Sequence, residues 1–387
     1  MIKLIKSTFF NEQETKKKLC NFILNAEILS MAQECKRFEE RFAKKQGRKF
    51  SVFVNSGSSA NLILLQSLMN LGRFKKGDKI GVSALTWGTN VMPIIQMGLM
   101  PVAIDCEIES LNVSSKIFYD NLNGLKGFFL TNALGFSHDI SEIKNICSEK
   151  GIIFIEDNCE ALGSKTGGTL LGNFGIASTF SFFVGHHIST IEGGMVCTDD
   201  EDLYLSLIMV RAHGWDRNLP PATQQQLWSK YNIDPFYSKY IFYDLGFNVR
   251  STEISGFLGN VQLDYWDEIV SKRFDNYKIF QIAEENNNDF LPLKVGHMNI
   301  ISNFAMPVIC RSQDSLKKYK EKFKNNNIEI RPIIAGDITQ QPFYKKYVSD
   351  IRNCPNAQFI HQNSFYFPNN QELNKDEINL LVGLLAK

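Results

Sequence analysis

The sequence predicts an α/β protein whose large domain has a mostly parallel sheet and whose smaller C-terminal domain is α+β. Short apolar runs alternate with helical patterns over residues 49–210, as in chains that connect parallel strands by helices. The run from Ile152 to Ile155 is continuously apolar, which is typical of a strand covered on both faces. A chain of 387 residues can fill more than one core. We expect a large domain over 1–250, a linking helix over 251–288 and a small domain over 289–387.

The first half of the chain is predicted to begin with two helices and then to enter the sheet. The first helix spans Glu12 to Asn25, and the second spans Met31 to Gly47. Phe38 and Phe42 repeat at helical spacing in the second, and a glycine ends it. Strands are predicted at 49–55, 78–84, 101–105, 127–131 and 152–155, with helices ending near residues 71, 97, 150 and 213.

The second half contains an excursion, a long helix and the small domain. Residues 215–245 include Pro220-Pro221, a pair that we expect to break any helix. Unbroken helical periodicity from Thr252 to Asn286 predicts one linking helix. In the small domain, strands are predicted near 302–309 and 327–331, and helices near 313–324 and 374–386.

Composition excludes several classes of protein. A net charge of +1 gives no indication of binding to nucleic acid or to an anionic membrane. No apolar run approaches the ~18 residues of a membrane span, and the N-terminus does not resemble a signal peptide. None of the eight cysteines form a Cys-x-x-Cys pair, so buried reduced thiols in a cytoplasmic protein without a metal site are expected.

Three chemically distinctive segments follow predicted strands. Ser56 to Ala60 joins a strand to a helix, where N–H groups and the helix dipole favour an anion. Trp87 follows the second strand, at the edge where open α/β sheets bind ligands, although packing is the commoner use of such a tryptophan. The buried strand ends in Glu156-Asp157. A carboxylate there needs a cationic partner, and a protonated pyridine nitrogen would serve.

The segment from Ser181 to Gly194 reads SFFVGHHISTIEGG. All but one of its anchor residues match the segment that carries the Schiff-base lysine in sugar aminotransferases dependent on pyridoxal phosphate (PLP). His186 stands where that lysine belongs. Four further motifs occur in the order found in those enzymes: 56–60, 156–163, 211–214 and 246–250. Over nearly its whole length the chain resembles the DegT/DnrJ/EryC1/StrS family of fold-type I PLP enzymes, which implies a large domain like that of aspartate aminotransferase.

The resemblance implies roles for the matching cofactor residues. Asp157 would keep the pyridine nitrogen protonated, so that the ring becomes an electron sink. Trp87 would stack on the ring. Glu160 would lie near the ring hydroxyl, where the aminotransferases usually carry glutamine. The implied phosphate ligands are Gly57, Ser58 and Ser181. Asn248 would reach the phosphate of the neighbouring subunit's cofactor, which implies a homodimer with shared sites.

Substrate contacts are implied less directly. The candidates are His213, Arg217, Arg250 and Glu329. For Arg217 and Glu329, an ordinary solvated side chain is an equally good interpretation.

The replacement of lysine by histidine changes the expected chemistry. Histidine cannot hold PLP covalently, so pyridoxamine phosphate (PMP) becomes a resting form, while the imidazole can still move protons. The resemblance then points to the lysine-lacking 3-dehydratases of the family. PMP would condense with the C4 ketone of a nucleotide-linked 4-keto-6-deoxy sugar, and His186 would take a proton and return one to the departing C3 hydroxyl. Glutamate would then restore PMP.

Two other functions stay open, and the substrate is only partly defined. A 4-aminotransferase would need another residue to protonate C4, and a catalytically silent binding protein would not need intact cofactor anchors. We interpret the adjacent His187 as structural. GDP is implied by the resemblance alone, and a heptose is as compatible with the sequence as a mannose-type hexose.

Overall fold

The computed structural model describes residues 1–387, which form fourteen α-helices and twelve strands. The helices are α1 (Glu12–Asn25), α2 (Gln33–Gln46), α3 (Gly57–Asn70), α4 (Gly88–Gln96), α5 (Ser115–Asp120), α6 (Ile140–Lys150), α7 (Glu201–Arg211), α8 (Pro221–Tyr231), α9 (Glu253–Leu263), α10 (Trp266–Glu285), α11 (Gln313–Asn325), α12 (Pro342–Tyr347), α13 (Pro355–Asn363) and α14 (Lys375–Leu385). The strands are β1 (Phe50–Val54), β2 (Lys79–Ser83), β3 (Met100–Ile104), β4 (Leu125–Thr131), β5 (Ile153–Asp157), β6 (Lys165–Thr166), β7 (Thr169–Leu170), β8 (Ala177–Ser181), β9 (Gly194–Thr198), β10 (Met298–Ile300), β11 (Ala305–Ile309) and β12 (Ser364–Pro368).

Seven strands form the central sheet in the order β1-β9-β8-β5-β4-β2-β3. Only β9 runs antiparallel to its neighbours β1 and β8, and the other four pairs are parallel. The prediction of a mostly parallel α/β sheet is therefore confirmed. Each of the five predicted strands lies within two residues of an observed one, because each is an apolar run with helices packed on both faces.

The parallel arrangement decides where functional residues meet. Thr131, Asp157 and Ser181 are the last residues of β4, β5 and β8, three adjacent strands. Carboxyl ends of parallel strands lie at one edge of a sheet, so these side chains lie at a common edge. Strand β9 returns from that edge and pairs with β1.

One linking helix was predicted over Thr252 to Asn286, and this was wrong. Two helices occupy the segment, α9 and α10, which are separated at Asp264 and Tyr265. Arg41 of α2 donates from Nη1 to the carbonyl of Asn260 at 2.7 Å and pairs with the Asp264 carboxylate. The Asn260 carbonyl lies in the last turn of α9, where carbonyls have no helical partner. Arg41 thus satisfies the end of α9 through a tertiary contact that periodicity does not record.

No helix runs through the proline pair, but Pro221 itself begins α8 at the first helical position, where no N–H is needed. The strand predicted near 327–331 was wrong. These residues form no strand and make only single bridges, Ile2 to Ile328 and Arg331 to Tyr366. The N-terminal segment thus lies against the C-terminal part of the chain. No helix in the structure combines the length and apolar character that a membrane crossing requires.

Candidate active site

A cavity of about 340 Å³ opens at the carboxyl edge of the central sheet. Seven of the residues singled out from the sequence line it: Gly57, Ser58, Trp87, Asp157, Glu160, Ser181 and His186. Five others do not line it: His213, Arg217, Asn248, Arg250 and Glu329. The structure therefore brings the predicted cofactor residues of one chain together, with the exception of Asn248.

The Asp157 carboxylate is held in one orientation at the cavity wall. Oδ2 accepts from the side-chain amides of Asn61 at 3.0 Å and Asn90 at 2.7 Å. Oδ1 accepts from the backbone N–H of Cys159 at 2.8 Å. Only 5% of Asp157 is exposed, and the three donors satisfy the oxygens of this buried carboxylate. Asp157 can thus present a carboxylate of fixed orientation to a cation in the cavity.

Its neighbour Glu156 points to the other face of β5 and has a structural role. The carboxylate accepts from the N–H groups of Gly172, Phe174 and Gly175, each at 2.8 Å, and from the Asn132 amide at 3.1 Å. Glu156 is fully buried. Because successive residues of a strand face opposite sides, only one of the two acids reaches the cavity.

The turn before α3 packs closely against the end of β8. Ser56 caps α3, since its Oγ accepts from the N–H of Ser59 at 3.1 Å. A Cβ on Gly57 would lie 2.7 Å from the Cβ of Ser181 and 3.1 Å from the Cys159 sulfur. Glycine is therefore required for this approach, which places helix N–H groups beside the Ser58 and Ser181 hydroxyls. The arrangement suits a phosphate group.

We expect Gly57→Ala to weaken cofactor binding about tenfold, which corresponds to about 1.4 kcal/mol. The added methyl must displace Ser181, since overpacking of this kind costs about 1–3 kcal/mol. Titration of the protein with PLP, followed by absorbance, measures the change. Gly383→Ala is the matched control, because a Cβ there meets nothing within 4 Å. Wild-type affinity in Gly57→Ala would show that this approach does not shape the phosphate site.

His186 lies in the turn between β8 and β9 with its ring at the cavity wall. Its ring meets Phe183 and Phe304 edge-on, with centroids 6.0 and 5.8 Å away. Nδ1 is buried and has no hydrogen-bond partner. Burial lowers the pKa of His186 to about 4, against the opposing effect of the Asp157 charge. At neutral pH the imidazole is therefore uncharged, with a ring nitrogen that can accept a proton.

The adjacent His187 faces away from the cavity. Its Nε2–H donates to the carbonyl of Ser302 at 2.7 Å, and burial holds its pKa well below the ordinary value. The residue is 3% exposed. His187 thus ties the 186 turn to the segment that carries Phe304, which agrees with the structural role inferred from the sequence.

Glu160 is a half-buried acid that also lines the cavity. Burial raises its pKa to about 8, although the N–H of Leu134 donates to Oε2 at 2.8 Å and favours the charged form. Leu134 presents that N–H from a left-handed conformation with φ of 51°, which is uncommon for a non-glycine residue. At pH 7 Glu160 is protonated and can donate a hydrogen bond.

We expect Glu160→Gln to gain stability relative to wild type as pH rises. The ordinary pKa of 4.5 applies to the unfolded chain and a value of about 8 to the folded one. Between pH 4.5 and about pH 8, Glu160 is protonated in the folded state but ionised in the unfolded state. The free energy of unfolding of the wild type therefore falls as pH rises across this range. Thermal unfolding of both proteins between pH 5 and pH 9 measures this. The exposed Glu149→Gln serves as control, and a difference for Glu160→Gln that does not vary with pH would contradict the buried-acid assignment.

Four predicted residues cluster around Trp215, outside the cavity. The Arg217 guanidinium lies 4.0 Å from the Trp215 ring centroid, and Arg250 lies 5.5 Å from it. The His213 ring is 4.8 Å away, and Arg250 donates to the Asn248 amide oxygen at 2.9 Å. No pattern in the sequence indicated Trp215 as the centre of this group. Two positive charges beside the half-buried Trp215 ring form a potential site for an anionic group.

Glu329, the remaining candidate, bridges two segments beside the cavity. One oxygen accepts from the N–H of Leu4 at 2.9 Å, and the other accepts from Arg331 at 2.6 and 3.0 Å. Leu4 and Arg331 both line the cavity, whereas Glu329 itself does not. Glu329 therefore acts on the cavity through its partners.

Comparison with known proteins identifies the family that has this architecture. A sequence model of the DegT/DnrJ/EryC1/StrS aminotransferase family matches residues 11–385. The chain belongs to this family. The motif-based resemblance is thus confirmed, and the match covers both the central sheet and the C-terminal part of the chain.

Members of this family with high similarity include two curated relatives. GDP-4-keto-6-deoxy-D-mannose 3-dehydratase of Escherichia coli O55:H7 (strain CB9615 / EPEC) is 33% identical over 370 residues, which are 94% of each chain. The protein of the same name from Yersinia pseudotuberculosis is 32% identical over 373 residues, again 94% of each. A crystal structure of GDP-4-keto-6-deoxymannose-3-dehydratase with a trapped PLP-glutamate geminal diamine matches with a TM-score of 0.91, 31% identity and full coverage of both chains. Fold-type I architecture is therefore confirmed.

Several residues that line the cavity or orient its lining were missed from the sequence. Asn61 and Asn90, which orient Asp157, each stand at the end of a segment already recognised, but an amide has no distinctive pattern of its own. Arg331, Phe304 and Tyr366 line the cavity from the C-terminal part of the chain. They are more than 50 residues from the last of the family motifs, so only the tertiary packing of this part of the chain could reveal them.

Proposed function

We propose that this chain is a PLP- and PMP-dependent 3-dehydratase of a nucleotide-linked 4-keto-6-deoxy sugar in deoxysugar biosynthesis. One observation carries the proposal. His186, uncharged and with a buried ring nitrogen free of partners, stands at the lysine position of an otherwise intact cofactor site. The similarity to GDP-4-keto-6-deoxy-D-mannose 3-dehydratases supports the same reaction and favours GDP-4-keto-6-deoxymannose as the substrate, with a related heptose as the other candidate.

The donor set of the cavity fits PLP. Asp157 would hold the pyridine nitrogen as a protonated cation, since its carboxylate is already oriented by three donors. Gly57, Ser58 and Ser181 would hold the phosphate. The Trp87 indole is 57% exposed at the wall and can cover an aromatic ring. Protonated Glu160 can donate to an oxygen of that ring.

When bound, the cofactor supplies an electron sink that accepts the electron pair of a broken C–H bond. His186 would carry out the proton transfers. As a neutral imidazole it accepts the proton from carbon, and as an imidazolium it returns one to the C3 hydroxyl that departs as water. Burial disfavours the imidazolium, so the ring gives its proton up readily. Asp157 keeps the sink charged throughout.

Atoms and electrons balance without a further oxidant. The sugar loses one oxygen at C3, while glutamate becomes 2-oxoglutarate and its nitrogen leaves as ammonia. Glutamate is thus the two-electron donor, and the trapped PLP-glutamate adduct in a related dehydratase supports this choice.

We further propose a homodimer with shared active sites in the cytoplasm. Asn248, His213, Arg217 and Arg250 lie together around Trp215 but outside their own cavity, and a second copy could bring them to it. Leu245, Phe242 and Tyr240 beside this group are 58–72% exposed. All eight cysteines are free thiols, which suits a reducing compartment.

Mass spectrometry of GDP-4-keto-6-deoxymannose incubated with enzyme, PLP and glutamate tests the function. A product that lacks one oxygen, together with 2-oxoglutarate, establishes the dehydratase. A product in which an amine replaces the ketone would make the chain a 4-aminotransferase. An unchanged sugar with conversion of PLP to PMP would retain the amino-donor chemistry and reject this sugar. If neither sugar nor cofactor changes, the chain is a binding protein.

A further inference from the structure

The cavity has a single permanently cationic side chain in its wall. Arg331 is the only lysine or arginine among the lining residues, and His186 is uncharged at neutral pH. The acids of the wall are Asp157, Glu160 and Glu192. Asp157 is engaged by its amide donors, and its charge is required by the pyridine ring. Arg331 therefore remains as the one lining side chain able to bind an anion by charge.

The guanidinium of Arg331 has N–H donors that Glu329 does not engage. Its Nε and Nη2 both donate to a single oxygen of Glu329, at 3.0 and 2.6 Å. A guanidinium carries five N–H donors in a planar fork, so this pair uses two of them. The side chain of Arg331 is 51% exposed, and its fork can bind a carboxylate by two parallel hydrogen bonds.

The two substrates of the proposed reaction differ in charge at the place where they meet the cofactor. Glutamate brings two carboxylates, whereas the keto-sugar ring is neutral. Both must approach the same cofactor atom between the same walls, which include Leu4, Phe304 and Ile334. A fixed cation without a counter-ion would bind a carboxylate of glutamate. With the neutral sugar ring in the cavity, however, its charge would have no partner.

We propose that Arg331 binds a carboxylate of the amino donor and that Glu329 is its resident counter-ion when the sugar occupies the cavity. This assignment rests on the proposed function. Glu329 can serve as this counter-ion because its other carboxylate oxygen accepts from the N–H of Leu4 at 2.9 Å and is thereby fixed. The counter-ion therefore stays in place when the donor arrives. Exposed ion pairs of this kind are weak, so the arginine is available to an incoming carboxylate.

The two half-reactions test the assignment separately in the cofactor-loaded enzyme. For Arg331→Met, we expect the KM for glutamate in the conversion of PLP to PMP to rise about 10- to 100-fold, the usual worth of a charge-assisted hydrogen bond. Dehydration of the keto sugar by enzyme preloaded with PMP should change less than about threefold, since the ring has no charge to lose. For Glu329→Gln, we expect the KM for glutamate to fall, because the competing anion is gone.

Arg352→Met is the matched control, since Arg352 also pairs with an acid two residues before it, Asp350, but lies outside the cavity. It should leave both half-reactions unchanged. Equal loss in both half-reactions of Arg331→Met, or an unchanged KM for glutamate, would overturn the assignment while leaving the dehydratase intact. Failure of wild-type enzyme to convert either substrate would instead reject the proposed function. Two alternative amino donors show which carboxylate Arg331 binds. Glutamine lacks the side-chain carboxylate of glutamate, and 4-aminobutyrate lacks the α-carboxylate. The donor whose KM does not change in Arg331→Met is the one that lacks the bound carboxylate.

Discussion

His186→Lys should join the cofactor covalently to the protein and abolish dehydration. The introduced amine enters the cavity wall where the family's aminotransferases carry their lysine, beside Asp157 and within a dry environment that lowers the pKa of an amine. A neutral amine can condense with the aldehyde of PLP. The imidazole that moves protons is lost, and with it a factor of about 10²–10⁴ in rate. Borohydride reduction followed by peptide mass spectrometry should find the cofactor on residue 186.

A control separates this effect from random labelling. His297 is an exposed histidine outside the cavity, and His297→Lys should give no adduct and retain wild-type dehydration. Dehydration retained by His186→Lys would remove His186 from the proton-transfer role. A fully dehydration-inactive variant without the adduct would mean that residue 186 does not face the bound aldehyde.

The second large effect is expected for Asp157→Asn. The substitution removes the charge that pairs with the pyridine nitrogen. It also turns one acceptor into a donor facing the Asn61 and Asn90 amides or the Cys159 N–H. We expect PMP to bind about 10- to 150-fold more weakly, since hydrogen bonds between charged groups contribute about 1.5–3 kcal/mol. Dehydration should fall further than binding, because an unprotonated ring is a poorer electron sink. Absorbance titration and single-turnover rates measure the two effects separately.

Glu156→Gln, at the adjacent residue, is the control for Asp157→Asn. Its carboxylate is equally buried but is satisfied by the 172–175 loop and Asn132. We expect this variant to unfold at lower temperature while the folded fraction binds PMP with wild-type affinity. If Glu156→Gln weakens PMP as much as Asp157→Asn does, the charge of Asp157 has no special relation to the cofactor.

The elements that the sequence predicted well are those that depend on local pattern. α1 has the predicted limits of Glu12 and Asn25, and all five predicted strands of the sheet are present. Apolar periodicity and continuous apolar runs report burial directly. The linking helix was the failure among the helices, since it ends where Arg41 of a distant helix bonds a carbonyl in the last turn of α9. The sequence also did not show that Pro221 begins α8, which is allowed because a first-turn position needs no N–H.

The sequence by itself determined the family, the sheet and the identity of the residue at the lysine position, because these depend on residue types in a fixed order. The motif match already assigned Asp157 rather than Glu156 to the cofactor, but the sequence did not show how that carboxylate is held, that His186 is uncharged or that Glu160 holds its proton. Those properties depend on strand pairing and burial, to which residues from other parts of the chain contribute. Tertiary structure also decided the opposite wall, where Leu4, Glu329 and Arg331 meet although more than 300 residues separate the first from the others. Only the packing of the N-terminal segment on the C-terminal part of the chain brings them to the cavity edge of the sheet.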